Sequence, residues 1–334
     1  MYQLPEFTHN STLSKIAILT SGGDSPGMNP AIRALVRTAN KFDIEVVGVH
    51  RGYAGLIEED FESLGNRSVS GLCHRGGTHL RSARCLSFHQ SETRSKAAEI
   101  LHKHQIDALV VIGGDGSLTG AHLLAQEHNI RVIGLPGTID NDIFGTDDSI
   151  GFDTAVTTAV EAVDKISDTA ASHDRHFLVE VMGRNSGALA TQVALAAGAE
   201  MVIIPEHKKG IQEVSQMLAE SRREGGESSG IIVVAEGGQT GWSYKLLEEL
   251  QALGEDPRVC ILGHLQRGGA PTAHDRILAA TLGNCAIHYL LSGIDNVMVG
   301  INAGAVDTTP LVDVISARKS LDMANLTLIE ELQR

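Results

Sequence analysis

The chain is short of three things. Aromatic residues fill only 4% of its 334 positions, with a single tryptophan. Its four cysteines, Cys73, Cys85, Cys260 and Cys285, are scattered and form no CxxC pair. Positive charge is scarce as well: 27 Lys and Arg against 41 Asp and Glu give a net charge of −14. Each shortage excludes something. With few aromatics, the core must come from Val, Ile, Leu and Ala, which suits parallel strands buried under helices on both faces. Scattered cysteines argue against a disulfide framework and for reduced thiols in a cytoplasmic protein. An acidic chain is a poor match for a nucleic-acid backbone or an anionic membrane surface. No apolar run approaches a membrane span in length. The opening stretch, MYQLPEFTHNSTLS, lacks a basic start and an apolar centre. It therefore reads as a frayed tail over residues 1–14, not as a signal peptide.

Several common motifs are also absent. The 15 histidines include no HExxH and no Cys/His knuckle, so they do not announce a metal centre. Neither GxGxxG nor GxxxxGK[ST] occurs, which removes the signatures of a dinucleotide-binding oxidoreductase and of a P-loop.

What is present is an alternation of strand and helix. KIAILT (15–20), EVVGVH (45–50), DALVVIGG, RVIGLPG, RHFLVEVMG, AEMVIIPE and SGIIVVAEGG read as strands, with helical patterns between them. The pattern predicts an α/β protein with mostly parallel sheets. Recurrence of the strand–glycine–helix unit predicts two sheet-based halves, parted in the long helix after Gly151.

Four strands run into polar, glycine-rich turns: TSGGDSPGMN (20–29), GGDGS (113–117), PGTIDND (136–142) and VMGRNSG (181–187). Ligands of open parallel sheets sit at strand carboxyl ends, where backbone N–H groups and helix N-termini attract phosphate. An acid in such a cradle repels phosphate unless a cation intervenes, so Asp115 points to Mg²⁺ bridging phosphates. The plainer reading of Asp115 is a cap for the following helix. Asp140 and Asp142 lie two apart, and in an extended chain residues i and i+2 share a face. One could take a proton from an attacking hydroxyl while the other orders a water or an arginine. The plainer alternative is an Asx-turn. His264 shares a turn with Arg267, a pairing suited to a phosphate or a sugar hydroxyl.

These segments, joined by ILTSGGDSPGMNPAIRALVR, SIGFDTA and ILGHLQRGGAPTAHDRILA, resemble the bacterial ATP-dependent 6-phosphofructokinases in order and spacing over about residues 15 to 330. The resemblance implies a phosphofructokinase-like fold of two doubly wound domains. A nucleotide-binding domain would span 15–151 plus about 266–316, and a sugar-phosphate-binding domain about 152–265 plus 317–334. It implies Mg²⁺-dependent transfer of the ATP γ-phosphoryl group to the 1-hydroxyl of fructose 6-phosphate, in glycolysis. Asp140 matches the catalytic base, Asp142 a second acid, and Thr138 and Arg184 contacts to the transferring group. Gly23, Arg84, Cys85, Gly114, Asp115, Gly116 and Ser117 match the ATP site, with Asp115 the metal contact. Thr138, Ile139, Asp140, Met182, Gly183, Arg184, Glu236, His264 and Arg267 match the sugar-phosphate site. Arg175 and Arg258 match arginines that reach a neighbouring subunit's active site, which implies a homotetramer.

Two glycines and a depleted pocket set this chain apart within that resemblance. Pyrophosphate-dependent relatives carry lysine where this chain has Gly137 and aspartate where it has Gly116, so ATP is the expected donor. Alternatives are a pyrophosphate-dependent enzyme, action on another sugar phosphate such as sedoheptulose 7-phosphate, and a non-catalytic nucleotide-binding homologue. Arg33, Arg37 and Glu200 match an effector pocket for ADP or phosphoenolpyruvate. Asn66, Ser167, Gly225, Glu227 and Ser229 stand where that pocket usually has basic residues. Each lost charge-assisted hydrogen bond is worth roughly 1.5–3 kcal/mol, so either weak or absent ADP activation or a different ligand in the pocket is expected.

Overall fold

The computed structural model describes residues 2–223, 229–237 and 239–332. The chain divides into two compact units. Unit 1 comprises Met1–Ile139, Ile143–Asp153 and Arg267–Lys319; unit 2 comprises Asp140–Asp142, Thr154–Gln266 and Ser320–Arg334.

In unit 1, strands β1 (Lys15–Ser21), β2 (Glu45–Val49), β3 (Phe61–Ser63), β4 (Ala108–Gly113), β5 (Arg131–Pro136), β10 (Val297–Asn302) and β11 (Ala305–Pro310) form one sheet. Its order is β11-β10-β5-β4-β1-β2-β3. Only the edge pairs β2–β3 and β10–β11 are antiparallel. The chain winds outward from β1 in both directions, so the switch point lies between β1 and β4, where α/β sheets hold ligands. Register aligns Ser21 with Gly113 and Gly113 with Pro136. The turns leaving β1, β4 and β5 are therefore neighbours.

Both faces of this sheet are covered, as an aromatic-poor core requires. Ile16 and Ile18 pack on one face with α1 (Met28–Asn40) and α9 (Ala273–Leu291), while Ala17 and Leu19 pack in a separate cluster. Burying each large aliphatic side chain stabilises the fold by about 1.5–3 kcal/mol. Helix α1 starts directly after Gly27, whose φ of 112° and whose absent Cβ, 2.6 Å from Ile150 Cγ2, admit no other residue without strain. Pro30 sits in its first turn, where a missing N–H costs nothing.

Unit 2 carries β6 (His176–Val181), β7 (Met201–Ile203), β8 (Gly230–Ala235) and β9 (Arg258–Ile261), all parallel, in the order β7-β8-β6-β9. Central β6 is flanked by β8, with Val181 opposite Ala235, and by β9, with Glu180 opposite Ile261. Helix α5 (Phe152–His173) enters this unit at Thr154.

One expectation needs correction. The N-terminal segment does not fray. Gln3 pairs with the edge of the sheet, its N–H donating to Gly304 O and its carbonyl accepting from Val306 N. The amides of Asn10 and Ser11 both donate to Leu291 O, at the end of α9. Phe7 stacks on His288 at 4.8 Å and meets Tyr289 edge-on. Backbone pairing on an open sheet edge and the two ring contacts of Phe7 outweigh the entropy a free tail would keep.

Candidate active site

The nucleotide-type loops of unit 1 are built mainly from backbone. The turn after β1 is pinned by Ser82, whose hydroxyl donates to Gly22 O at 2.6 Å. Arg267 lies over the same turn, Nη1 donating to Asp24 O at 2.9 Å, and a Cβ on Gly23 would stand 2.6 Å from that nitrogen. Residue 23 must be glycine for the guanidinium to lie there. Arg267, expected among the sugar-phosphate ligands, is thus packed on a turn expected to meet the nucleotide. Arg84 is exposed and Cys85 half-buried, just before a 3₁₀ turn over Leu86–His89.

Helix α4 (Asp115–His128) opens directly after β4 with Gly114 as N-cap and no side-chain cap. Asp115 is therefore not the capping residue; it lies exposed in the first turn, beside the positive end of the helix. Gly116 faces open space, with nothing within 4 Å of a Cβ placed there. Ser117 is buried, and its carbonyl accepts from the Tyr53 hydroxyl at 2.6 Å. Tyr53 stacks on Phe88 at 3.9 Å, and its deep burial pushes the phenol far above the ordinary tyrosine range. Sequence reasoning missed Tyr53. In a chain this poor in aromatics, a stacked and fully buried Tyr–Phe pair next to Arg84 and Cys85 marks the support of a loop.

The segment after β5 is held at three points. Gly137 N donates to Gly113 O, Ile150 N donates to Pro136 O, and the Ser149 hydroxyl donates to Thr138 O at 2.7 Å. Thr138, Ile139 and Asp140 are all buried. The expectation that Asp140 and Asp142 share a face fails. The chain bends at 139–140 and Asn141 is left-handed, with φ of 47°, so the extended geometry is lost. Asp140 is only 4% exposed, whereas Asp142 faces solvent.

The unit 2 loops are held by side chains. Arg184 follows Gly183, and both are left-handed, at 51° and 130°. A Cβ at Gly183 would also meet Ser186 O at 2.6 Å, so the turn needs glycine there. Arg184 N donates to Glu236 Oε1 at 3.1 Å, and Met182 N to Gln266 Oε1 at 2.9 Å. Arg184 Nε lies 3.8 Å from Asp140 Oδ2, a cation beside a buried carboxylate. Gly187 N donates to both carboxylate oxygens of Glu206. His264 is exposed on the 3₁₀ turn Gly263–Arg267, and Arg175 and Arg258 are exposed too.

Among the effector candidates, Arg33 and Arg37 lie on α1, and Glu200 just precedes β7. A cavity of about 350 Å³ is lined by Arg37, Asn40, Lys41 and Asn66. Ser167 and Ser229 are half-buried, while Gly225 and Glu227 lie outside the described residues. The four cysteines are unpaired. Among the described residues no three His, Cys, Asp or Glu side chains converge into a metal site, and no helix is long and apolar enough to cross a membrane.

A doubly wound sheet with phosphate-type turns at its switch point, joined to a parallel unit whose loops present arginine beside aspartate, defines a phosphoryl-transfer class. The comparisons with known proteins narrow it. The family model for phosphofructokinase matches residues 15–290. An ATP-dependent 6-phosphofructokinase of Thermus thermophilus is 50% identical over 321 residues, covering 96% of this chain and 99% of that protein. One of Thermotoga neapolitana is 49% identical over 311 residues, covering 93% and 97%. The chain belongs to the phosphofructokinase family. The structure of phosphofructokinase from Saccharomyces cerevisiae matches with a TM-score of 0.84 at 38% identity, over 96% of this chain and 47% of the yeast chain. A pyrophosphate-dependent phosphofructokinase from Marinobacter aquaeolei also gives 0.84, at 23% identity over 93% of this chain and 86% of its own. The fold is thus common to both kinds of donor, and the donor has to be read from residues.

Proposed function

We infer that the protein is an ATP-dependent 6-phosphofructokinase, which moves the γ-phosphoryl group of ATP to the 1-hydroxyl of fructose 6-phosphate. The observation that carries this reading is the pair of glycines at 116 and 137, in a chain about half identical to relatives named for ATP. Glycine at 116 leaves open space at the start of α4, where an acidic side chain would repel an incoming nucleotide phosphate.

In this reading Asp140 takes the proton of the sugar hydroxyl as the oxygen attacks phosphorus. Its burial keeps competing water from the carboxylate, and Ser149 fixes the segment that carries it. Arg184 stabilises charge that builds on the transferring group, and the Thr138 hydroxyl and backbone N–H groups orient it. Asp142, exposed where Asp140 is buried, orders solvent or a cation.

The residues present fit Mg²⁺ carried in with the nucleotide. A single exposed carboxylate, Asp115, stands at a helix N-terminus, and Mg²⁺ characteristically takes one or two carboxylates and completes its shell with phosphates and water. When bound, the ion neutralises phosphate charge and aligns the donor.

A homotetramer with Arg175 and Arg258 reaching a neighbour's site is part of the same reading, supported by their exposure. So is a cytoplasmic setting, supported by the lack of a helix able to span a membrane among the described residues. Asn66 beside Arg37 supports weak control by ADP or phosphoenolpyruvate.

The test is product formation by the purified protein from fructose 6-phosphate, ATP and Mg²⁺, with and without millimolar ADP. Equimolar fructose 1,6-bisphosphate and ADP are expected, with a rate little changed by added effector. Absence of the bisphosphate under these conditions would overturn the activity, and strong activation by ADP would overturn the depleted-pocket reading alone.

A further inference from the structure

The loop Met182–Arg184 leaves the central strand of the unit 2 sheet, and the segments that follow both neighbouring strands each send a side chain to hold it. From the β8 side, Glu236 accepts from Arg184 N at 3.1 Å. From the β9 side, Gln266 accepts from Met182 N at 2.9 Å. The two braces fix the amides on either side of Gly183, which is itself left-handed at φ 130°. Glu236 was expected among the sugar-phosphate contacts, but Gln266 was not.

We propose that Gln266 is a positioning residue for the acceptor sugar phosphate: through the Met182 amide it sets the loop that presents Arg184, without touching substrate itself. This rests on the reading of 182–184 as an acceptor loop. Three observations support it. Gln266 is fully buried, at 0% exposure, in a turn otherwise exposed or half-buried. Its amide orientation is dictated by its partner, since an N–H donor requires the oxygen to face it. Its Nε2 has no hydrogen-bond partner among the described protein atoms, so the whole polar function of a buried glutamine is given to one loop amide. The residue also lies between His264 and Arg267, so a single short turn carries two expected ligands and the brace for a third.

A purely structural glutamine would affect stability and leave the surviving enzyme's constants alone. A positioning glutamine predicts a split. Gln266→Met keeps the volume and loses the acceptor, and Gln266→Asn keeps the amide but is one methylene too short to reach Met182 N. Small displacements of a positioning group carry large costs, so both variants are expected to raise the KM for fructose 6-phosphate about tenfold or more. Equilibrium binding of fructose 6-phosphate alone should weaken in parallel, with the KM for ATP within about twofold of wild type. Gln266→Glu restores an acceptor oxygen and gives up no hydrogen bond from Nε2, so it should recover most of the affinity. If both Met and Asn variants keep wild-type affinity for the sugar phosphate, or lose affinity for both substrates equally, the proposal is wrong. Should the Met variant fail to fold, the Asn variant decides. Wild-type protein that neither binds nor phosphorylates fructose 6-phosphate would instead defeat the acceptor reading itself, before any variant is made.

Discussion

The two units hold their loops in different ways. In unit 1 the loops at the strand ends are rich in glycine: Gly22–Asp24, Gly113–Ser117 and the turn at Gly137 are tied by main-chain bonds and by side chains that donate to their carbonyls, those of Ser82, Arg267, Tyr53 and Ser149, which leaves loop N–H groups for a ligand. In unit 2 the loop at 182–187 is tied by the side chains of Glu236, Gln266 and Glu206. The difference follows from what each must meet. Successive phosphates are bound by rows of N–H groups at close approach, and any Cβ in the way is a cost. A sugar phosphate is recognised by a few directed groups, and those need bracing. Substitutions in unit 1 should therefore act through space and charge, and substitutions in unit 2 through lost position.

The largest effect should come from the base. Asp140→Asn keeps the shape and removes the proton acceptor, and kcat should fall about 10²–10⁴-fold with the KM for ATP nearly unchanged, measured by initial rates. A variant with near-normal kcat would remove Asp140 from the chemistry.

Next is the space at the donor loops. Gly116→Asp enters open space, so its stability should be close to wild type while kcat/KM for ATP drops about tenfold or more through like-charge repulsion. Gly137→Lys is a less clean probe. A Cβ there already meets Ile112 Cγ2 at 3.0 Å and Met28 Cε at 3.2 Å. Loss of ATP use in that variant should therefore come with a lower Tm, which calorimetry would separate from the donor effect.

A smaller effect belongs to the N-terminal segment. Burial, with His9 and Lys41 nearby, holds His288 below the ordinary histidine range. His9 Nε2 and His288 Nδ1 are 2.9 Å apart. The folded state thus favours neutral His288, and the unfolded chain gains more from acid. Its contribution is present above the ordinary histidine pKa of about 6.5 and is lost as pH falls below it. His288→Gln should narrow the Tm difference between pH 7.5 and 5.5 by about 2–4 °C. An unchanged difference would free His288 from any part in it. The smallest effect is expected at Lys103, whose ammonium meets Glu59 at 2.7 Å on an exposed surface. Lys103→Ala should leave Tm unchanged within error.

Much of unit 1 was legible in the chain because its strands are unbroken apolar runs ended by glycine. KIAILT, DALVVIGG and RVIGLPG match the observed strands to within one residue at each end. Short or polar strands were not legible. Phe61–Ser63, Arg258–Ile261 and Ala305–Pro310 owe their extended form to a neighbour's ladder, not to their own pattern. At the site, the acids and arginines stood out because charge in a glycine turn is conspicuous. Ser149, Gln266 and Glu206 did not, since a brace is defined by the main-chain group it reaches in the fold. Asp142 was misread for a related reason: its spacing from Asp140 assumed an extended chain, and one left-handed asparagine removed the geometry.

The central claim is that glycine at 116 and 137 makes this family member use ATP. It is tested most directly by measuring kcat/KM for fructose 1,6-bisphosphate formation with ATP and with pyrophosphate as alternative donors at saturating fructose 6-phosphate. The account predicts turnover with ATP and none above background with pyrophosphate. Turnover with pyrophosphate in preference to ATP would contradict it.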